Sequence, residues 1–262
     1  MRIIISLLFL FFTTASFATI FEGQFIQGSF ILGKTQPGNE VFIDKEKVRV
    51  TKDGFFAFGL GRDRKNDVVI TINKKKIVKK VYKRKYNIQR IDGLEEKKVT
   101  PPEEVYERIK RENKWIAEAR AIDSDLTFFK NKFAIPVENA IISGVYGSQR
   151  ILNGKPKWPH YGLDFAADEG TKIKAMLDGV VTLAEPDLFY TGGTLIFDHG
   201  HGISTLYMHM EKILVRKGQK VKQGDIIGTV GSTGRATGAH LDVRLNWFKT
   251  RLDPATVLNI KN

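Results

Sequence analysis

The chain lacks cysteine altogether among its 262 residues, which excludes disulfide bonds and thiolate ligands to a metal. A bound metal ion must therefore be held by histidine, aspartate or glutamate side chains. Stability has to come from the hydrophobic core alone, and the chain is long enough to bury one.

Long apolar runs are missing beyond the N-terminus, so the sequence predicts no membrane span in the mature chain. At the N-terminus, Arg2 precedes an apolar run over residues 3–12 and a series of small residues that ends at Ala18. This order is typical of a signal peptide, and an uncleaved anchor is the alternative. We expect residues 1–18 to be cleaved and the protein to be exported, to the periplasm or, alternatively, to the medium or the cell wall.

Acidic residues are scarce relative to basic ones, 29 against 42, which gives a formal net charge of +13. Residues 136–262 hold 15 basic and 12 acidic residues, so most of the excess lies in the N-terminal half. A basic exported protein suits an anionic envelope surface or cell-wall polymer. Nucleic acid is the competing partner, but predicted export and the lack of a recognisable binding motif argue against it. A solvated lysine-rich face explains the charge without any ligand.

Short β runs separated by turn residues fill residues 19–95, which predicts a small, basic, immunoglobulin-like β-sandwich domain. Thr100, Pro101 and Glu103 then read as an N-cap, a first helical residue and a capping box, so a linker helix is predicted over residues 100–121. Apolar residues recur near helical spacing within it, at Val105, Ile109, Ile116 and Ala119, which predicts a helix that docks by one face. Glycine becomes frequent after Phe133 and short β runs return. Residues 133–258 are therefore predicted to form a second, antiparallel β domain of barrel or sandwich type.

Three short clusters contain chemistry-bearing side chains: His160 with Asp164, His209 after Tyr207-Met208, and His240 with Asp242. Residues at i, i+2 and i+4 of a strand share one face. His160 is therefore predicted to lie on one face with Asp164, and His240 on one face with Asp242. Imidazoles and carboxylates that converge from separate strands are what a zinc site requires when no thiolate is present.

These clusters, with Val221–Gly228 and the glycine-rich segment Gly231–Gly238 before His240, resemble the M23 (lysostaphin/LytM-type) zinc peptidases over residues 140–256. The resemblance implies a mainly antiparallel β domain with a groove, one zinc ion, and hydrolysis of peptide bonds in the peptide stems of peptidoglycan. It also implies that His160 and Asp164 are metal ligands, and that His209 and His240 are the catalytic histidines.

Asp242 departs from the family pattern, which places a zinc-binding histidine at this position. One hypothesis is a His/Asp/Asp zinc site, since an aspartate oxygen is an accepted ligand at ~2.0–2.2 Å. The alternative is a catalytically degenerate envelope protein that binds peptidoglycan or activates a partner hydrolase. Retention of the four other site residues favours the active enzyme.

The remaining histidines, His199 and His201, flank Gly200 in a sequence that reads as a hairpin turn, so they are predicted to serve at a turn or groove rim. Ser148 and Ser204 have no identifiable acid–base partner, which argues against a serine hydrolase. The glycine-rich segment lacks the Gly-Lys-Ser/Thr sequence of a phosphate-binding loop, so nucleotide binding is not predicted.

Overall fold

The computed structural model describes residues 18–258 and residue 260, and most of its regular structure is antiparallel β-sheet. This confirms the predicted mainly β fold class. The predicted signal peptide lies outside the described residues except for Ala18. In the described part of the chain, no helix has the length and apolar character needed to cross a membrane.

The N-terminal half forms a small β-sandwich from two sheets, in the strand orders β1-β2-β5 and β4-β3-β6-β7. Its strands are β1 (Ile20–Glu22), β2 (Phe30–Lys34), β3 (Val41–Ile43), β4 (Glu46–Val48), β5 (Phe55–Gly59), β6 (Val68–Ile72) and β7 (Lys75–Lys79). Inward side chains such as Ile31, Phe56, Phe58 and Ile70 are fully buried between the sheets. The lysine-rich strand β7 lies at the edge of its sheet, where lysines discourage pairing with another chain.

Strand β8 (Ile88–Ile91), helix α1 (Glu96–Val99) and helix α2 (Tyr106–Arg120) connect the sandwich to the second half. Helix α2 begins six residues later than the predicted start at Thr100, and Thr100 instead ends α1 as its C-cap. The reason is the pair Pro101-Pro102, because a residue that precedes proline is driven out of the α region. Pro102 is itself extended, with ψ of 156°, so the helix can only form after it.

Helix α2 is docked on the sheet of the second half. Its Ile116 and Ala119 pack in a cluster that includes Leu183, Ile196 and Leu206. The buried carboxylate of Glu112 accepts hydrogen bonds from the backbone N–H of Phe189 at 2.8 Å and from Arg108 at 2.6 Å. The apolar face predicted from the sequence is thus the docking face of the helix.

The C-terminal half is built around one large sheet in the order β17-β14-β15-β16-β19-β12-β9. The strands of the C-terminal half are β9 (Ile141–Gly144), β10 (Gln149–Leu152), β11 (Lys155–Pro156), β12 (Leu163–Ala166), β13 (Lys172–Lys174), β14 (Gly179–Leu188), β15 (Gly192–Gly200), β16 (Ile203–Ile213), β17 (Lys220–Val221), β18 (Ile226–Val230), β19 (His240–Trp247) and β20 (Thr250–Leu252), followed by helix α3 (Ala255–Leu258). Strands β10 and β11 belong to a separate small sheet. Strands β16, β19 and β12, which carry predicted site residues, are neighbours in this order.

The two halves contact each other through a common small sheet and a common apolar cluster as well as through the linker. Strand β8 pairs in parallel with β10, so it belongs to a sheet of the second half although it falls within the predicted sandwich range 19–95. A common apolar cluster joins Phe30 and Ala57 of the sandwich to Ile203, Leu245 and Leu252. Across the same boundary, Arg84 pairs with the fully buried Asp253 at 2.6 Å.

We predict that Leu252→Ala destabilises both halves together. The Leu252 side chain is fully buried in the shared cluster, so its truncation leaves a cavity that costs about 2–5 kcal/mol of unfolding free energy. Denaturant unfolding followed by tryptophan fluorescence and by far-ultraviolet circular dichroism should give one coincident transition at a lower midpoint. Leu214→Ala, at a leucine that is 57% exposed, is the control and should leave the midpoint unchanged. Separate transitions for the two probes would contradict the shared core.

Candidate metal centre

Strand pairing brings two carboxylates face to face at the centre of the site. Asp242 on β19 lies directly opposite Asp164 on β12, and on its other side it lies opposite Met208 on β16. Both aspartates are buried, with exposures of 1% and 6%. Like charges directly opposite each other on paired strands repel, so this register requires a cation nearby.

His160 reaches these carboxylates from a loop. Strand β12 begins only at Leu163, so the prediction that His160 and Asp164 share one face of a strand is wrong. The loop is held by the His160 backbone, whose N–H donates to Ser148 at 2.8 Å and whose carbonyl accepts from Gly147 at 2.7 Å. The two side chains converge nonetheless, because the loop carries the ring back over the strand.

One ligand atom from each of His160, Asp164 and Asp242 falls within 4.8 Å of the others. Nε2 of His160 lies 3.0 Å from Oδ1 of Asp164 and 3.3 Å from Oδ2 of Asp242. Nδ1 of the same ring lies 3.3 Å from the carbonyl oxygen of Val145, which suits a proton on Nδ1 and a free lone pair on Nε2. Oδ1 of Asp164 is buried, and with the proton of His160 on Nδ1 no group in the described part of the chain donates a hydrogen bond to it. An acceptor left without a donor at this point fits a metal ligand.

Two glycines make room for the carboxylates. A Cβ atom on Gly144 would clash with Oδ2 of Asp164, and one on Gly162 would clash with Oδ1 of Asp242. Neither glycine has the positive φ that glycine alone adopts readily. Their role is therefore to admit a close approach of the ligand side chains.

Charges around Asp242 keep it ionised. Burial alone would raise the pKa of this carboxyl, but Arg244, whose guanidinium lies 2.9 Å away, and His160 hold the pKa well below its usual range. Burial likewise opposes protonation of His160, yet the charges of Asp242 and Asp164 outweigh it and raise the pKa of the ring. Two buried carboxylates and an imidazole, with ligand atoms within 4.8 Å of one another, form a set of donors that suits a cation.

His209 and His240 form a pair beside these ligands, with ring centroids 4.8 Å apart. His209 is buried, and burial lowers its pKa to about 4, so its ring is neutral at pH 7. Its Nδ1 lies 2.8 Å from the carbonyl oxygen of Thr233, and Nδ1 of His240 lies 2.8 Å from that of Gly238. Both contacts orient the rings, and in the neutral ring of His209 a proton on Nδ1 leaves Nε2 as the acceptor.

The backbone of His209 is in the left-handed region, with φ of 64°. Its N–H donates to Thr191 at 2.8 Å, and the pairing of β15 with β16 shifts register between Leu195 and Gly193. This irregularity turns the His209 ring out of strict strand alternation. Such a conformation costs about 1–3 kcal/mol for a residue other than glycine, and strain of this kind concentrates at functional sites.

The other two histidines lie outside the metal cluster, as predicted, but only one occupies a turn. His201 has φ of 51° in the turn after β15. His199 is fully buried within β15, where Nδ1 contacts the carbonyl oxygen of Asp178 at 2.7 Å and Nε2 contacts the hydroxyl of Thr205 at 2.8 Å. Burial lowers its pKa to about 4. The predicted turn or groove-rim role is therefore wrong for His199, which is a hydrogen-bonded core residue.

Sequence reasoning missed the arginines of the site. Arg244 pairs with Asp242 at 2.9 Å, and Arg150 lies 3.5 Å from Oδ2 of Asp164. Arg244 follows Asp242 by two residues on the same strand, so strand alternation already placed them on one face. Arg150 gave no such signal, because its approach depends on how β10 is placed by its partner strands.

The region that contains most of the site matches a known protein family. Residues 158–254 match the profile of Peptidase family M23. The peptidoglycan DD-endopeptidase ShyA of Vibrio cholerae is 46% identical over 87 residues, which are 33% of this chain and 20% of that protein. The peptidoglycan DD-endopeptidase ShyC of the same organism is 38% identical over 124 residues, 47% of this chain and 28% of that protein. The chain thus matches less than a third of the length of these curated relatives.

A solved structure extends the likeness to both halves. The crystal structure of a candidate M23 peptidase from Pseudomonas aeruginosa superposes with a TM-score of 0.68 and 26% identity, over 90% of this chain and 95% of that one. The likeness therefore covers the N-terminal sandwich as well as the C-terminal half of this chain. The resemblance seen in the sequence is confirmed, and the C-terminal half of this chain carries a peptidase family M23 domain.

Proposed function

We propose that the protein is a zinc-dependent endopeptidase that hydrolyses peptide bonds in the peptide stems of peptidoglycan, outside the cytoplasm. The observation that carries the proposal is the buried cluster of His160, Asp164 and Asp242 beside the histidine pair. The M23 domain and its similarity to proteins named peptidoglycan DD-endopeptidases support the reaction and the substrate. The predicted signal peptide and basic N-terminal half support export to the periplasm and contact with an anionic wall.

The residues present fit a zinc ion. Nε2 of His160 and one oxygen from each aspartate would hold it, and the unpartnered Oδ1 of Asp164 is the acceptor that most clearly needs such a partner. One imidazole and two carboxylates are ligands that zinc accepts. When bound, zinc would act as a Lewis acid that polarises the scissile carbonyl and lowers the pKa of a bound water towards neutral pH.

The histidine pair performs the proton chemistry. His209 is neutral at pH 7 with its proton on Nδ1, so Nε2 accepts a proton from the attacking water. The proton that His209 accepts then passes to the leaving amine, and the neighbouring ring of His240 lies beside His209, where it stabilises the oxygen that becomes negative in the transition state. Fixing both rings through backbone carbonyls orients them before substrate binds.

One contact favours a second candidate function, a non-catalytic envelope protein that binds peptidoglycan or activates a partner hydrolase. The guanidinium of Arg244 lies 2.9 Å from Oδ2 of Asp242, where it competes for a ligand oxygen. Metal content and intrinsic cleavage of the purified protein separate the two candidates.

We predict that the mature protein binds one zinc ion per chain and releases peptides from purified sacculi. A chelator should abolish release, and added zinc should restore it. His160→Ala should lose both zinc and activity, because it removes the only imidazole among the ligands. Release that persists in His160→Ala or in chelator would refute the proposal, and binding of sacculi without cleavage would support the envelope-protein candidate.

His209→Asn should keep the zinc and lose about 10²–10⁴-fold in kcat, because it removes the acceptor for the water proton. Asparagine is chosen since it tolerates φ of 64° better than alanine does, so the backbone is preserved. Thermal unfolding and zinc content should match those of the unchanged protein. Activity within a few fold of the unchanged protein would remove His209 from the mechanism.

We further expect Gly162→Ala to weaken zinc binding by about tenfold to a hundredfold, the range seen when the support of a ligand is removed. The new Cβ would displace Asp242, whose Oδ1 occupies that space. Gly61→Ala is the matched control, because its Cβ would meet only Thr250, at 3.5 Å. Zinc titration of both variants measures the effect, and equal affinities would show that Asp242 is not a ligand.

A further inference from the structure

Two adjoining clefts lie on the N-terminal sandwich, and neither is lined by a residue of the metal cluster. The larger, called here the outer cleft, encloses about 830 Å³ on the solvent side of the β4-β3-β6-β7 sheet. The smaller, called the boundary cleft, encloses about 510 Å³ where the sandwich meets the C-terminal half. Both volumes fall within the ~300–1,000 Å³ that is typical of ligand sites.

The floor of the outer cleft includes apolar side chains although it faces solvent. Phe42, Thr71 and Lys76 are cross-strand neighbours on β3, β6 and β7, and Val69 lines the same cleft. The alternate residues of these strands, such as Ile70, fill the core. An antiparallel sheet with one solvated face ordinarily carries polar residues there. Phenylalanine and valine on this face therefore indicate a binding surface.

Lysine side chains surround this floor. Lys45, Lys65 and Lys76 are exposed at the outer cleft, and no ion pair among the described residues involves them. The two acidic residues of the cleft, Asp44 and Asp67, each accept a hydrogen bond from a backbone N–H of the sandwich at 3.0 Å. Ammonium groups around an apolar floor suit a ligand that carries both carboxylates and apolar faces.

The boundary cleft continues this surface towards the metal centre. Asp44 and Arg64, whose side chains pair at 2.6 Å, line both clefts, so the clefts adjoin at this ion pair. On the side of the C-terminal half, the boundary cleft is lined by the exposed Lys249 and by Tyr161. Tyr161 directly follows the proposed ligand His160 in the chain. One surface thus leads from the outer face of the sandwich to the loop that carries His160.

The shape of this surface selects a polymer strand over a membrane. A lipid bilayer contacts residues that protrude, whereas Phe42 and Val69 lie in a cleft between the turn at residues 44–45 and the loop at residues 64–67. A glycan strand can enter such a cleft. Its sugar rings present C–H groups to the negative face of an aromatic ring, and its stem peptides supply carboxylates for lysines.

We propose that the outer and boundary clefts together bind a glycan strand of peptidoglycan with its anionic stem peptides, apart from the stem that is cut. The inference rests on the proposed function and adds a second contact with the same substrate. A strand held along this surface keeps its cross-links near the loop of His160, which raises their effective concentration at the metal centre.

Binding is tested with the zinc-loaded mature chain carrying His209→Asn, so that the ligand is not digested, by co-sedimentation with purified sacculi. Lys65→Glu/Lys76→Glu should weaken binding by about tenfold, because two attractive contacts become repulsive. Lys249→Glu should weaken it by about threefold for the same reason. Lys217→Glu/Lys220→Glu makes the same charge change at exposed lysines of the C-terminal half and is the matched control, with unchanged binding.

Activity supplies the second readout. With His209 restored, Lys65→Glu/Lys76→Glu should lower the rate on sacculi by about tenfold and leave kcat/KM unchanged for a soluble cross-linked peptide without glycan. If the protein cuts neither substrate, weaker sacculi binding in this variant still sustains the surface.

Three results would overturn the surface. Sacculi binding could stay unchanged in Lys65→Glu/Lys76→Glu or in Lys249→Glu. Binding could fall equally in the Lys217→Glu/Lys220→Glu control, which would reduce the effect to net charge. Vesicles of phosphatidylglycerol could bind as tightly as sacculi and with the same sensitivity to the variants, which would assign the surface to a membrane.

Discussion

The structure depends on one electrostatic constraint: two buried aspartates lie directly opposite each other on paired antiparallel strands. Asp164 and Asp242 are held there by the register of β12 and β19, and a shift of one residue would turn both away from the site. The surrounding residues make room for these two carboxylates and place positive or polar groups beside them. His160 lies between the carboxylates, Gly144 and Gly162 leave space for them, and arginines approach from outside. A divalent cation bound between the two carboxylates, as we propose, would balance their charge.

The N-terminal elements take part in this arrangement although they contribute no ligand. Strand β8 pairs with β10 so that Gln89 lies opposite Arg150, and the Gln89 side chain accepts a hydrogen bond from Arg150 at 3.3 Å. Helix α2 supports the turn beside His209, because its Glu112 accepts a hydrogen bond from the backbone N–H of Phe189, and the carbonyl of Thr191 in the same turn accepts one from the backbone N–H of His209. The sandwich and helix thus support the residues around the site as well as the shared core.

Sequence patterns predicted what is local and missed what depends on distant contacts. Alternation and turn residues were enough for the strands, and the spacing of Ile116 and Ala119 identified the docking face of α2. The predicted start of that helix is wrong because Pro102 drives the residue before it out of the α region, and the capping box does not offset this effect. The clustered site residues could be identified from the sequence. The loop that carries His160 and the left-handed backbone of His209 could not be predicted from it. Arg150 lies 14 residues from Asp164 in the chain, and only the pairing of β10 with β8 brings it near.

The central claim is that Asp242 serves as a zinc ligand in place of a histidine. X-ray absorption at the zinc edge of the loaded mature protein tests it most directly, because scattering from imidazole rings can be counted separately from that of carboxylate oxygens. The account predicts one imidazole and at least two oxygen ligands, all at about 2.0–2.2 Å. Two or more imidazoles would show that His209 or His240 takes the place of Asp242, which would contradict both the proposed ligands and the proposed catalytic histidines.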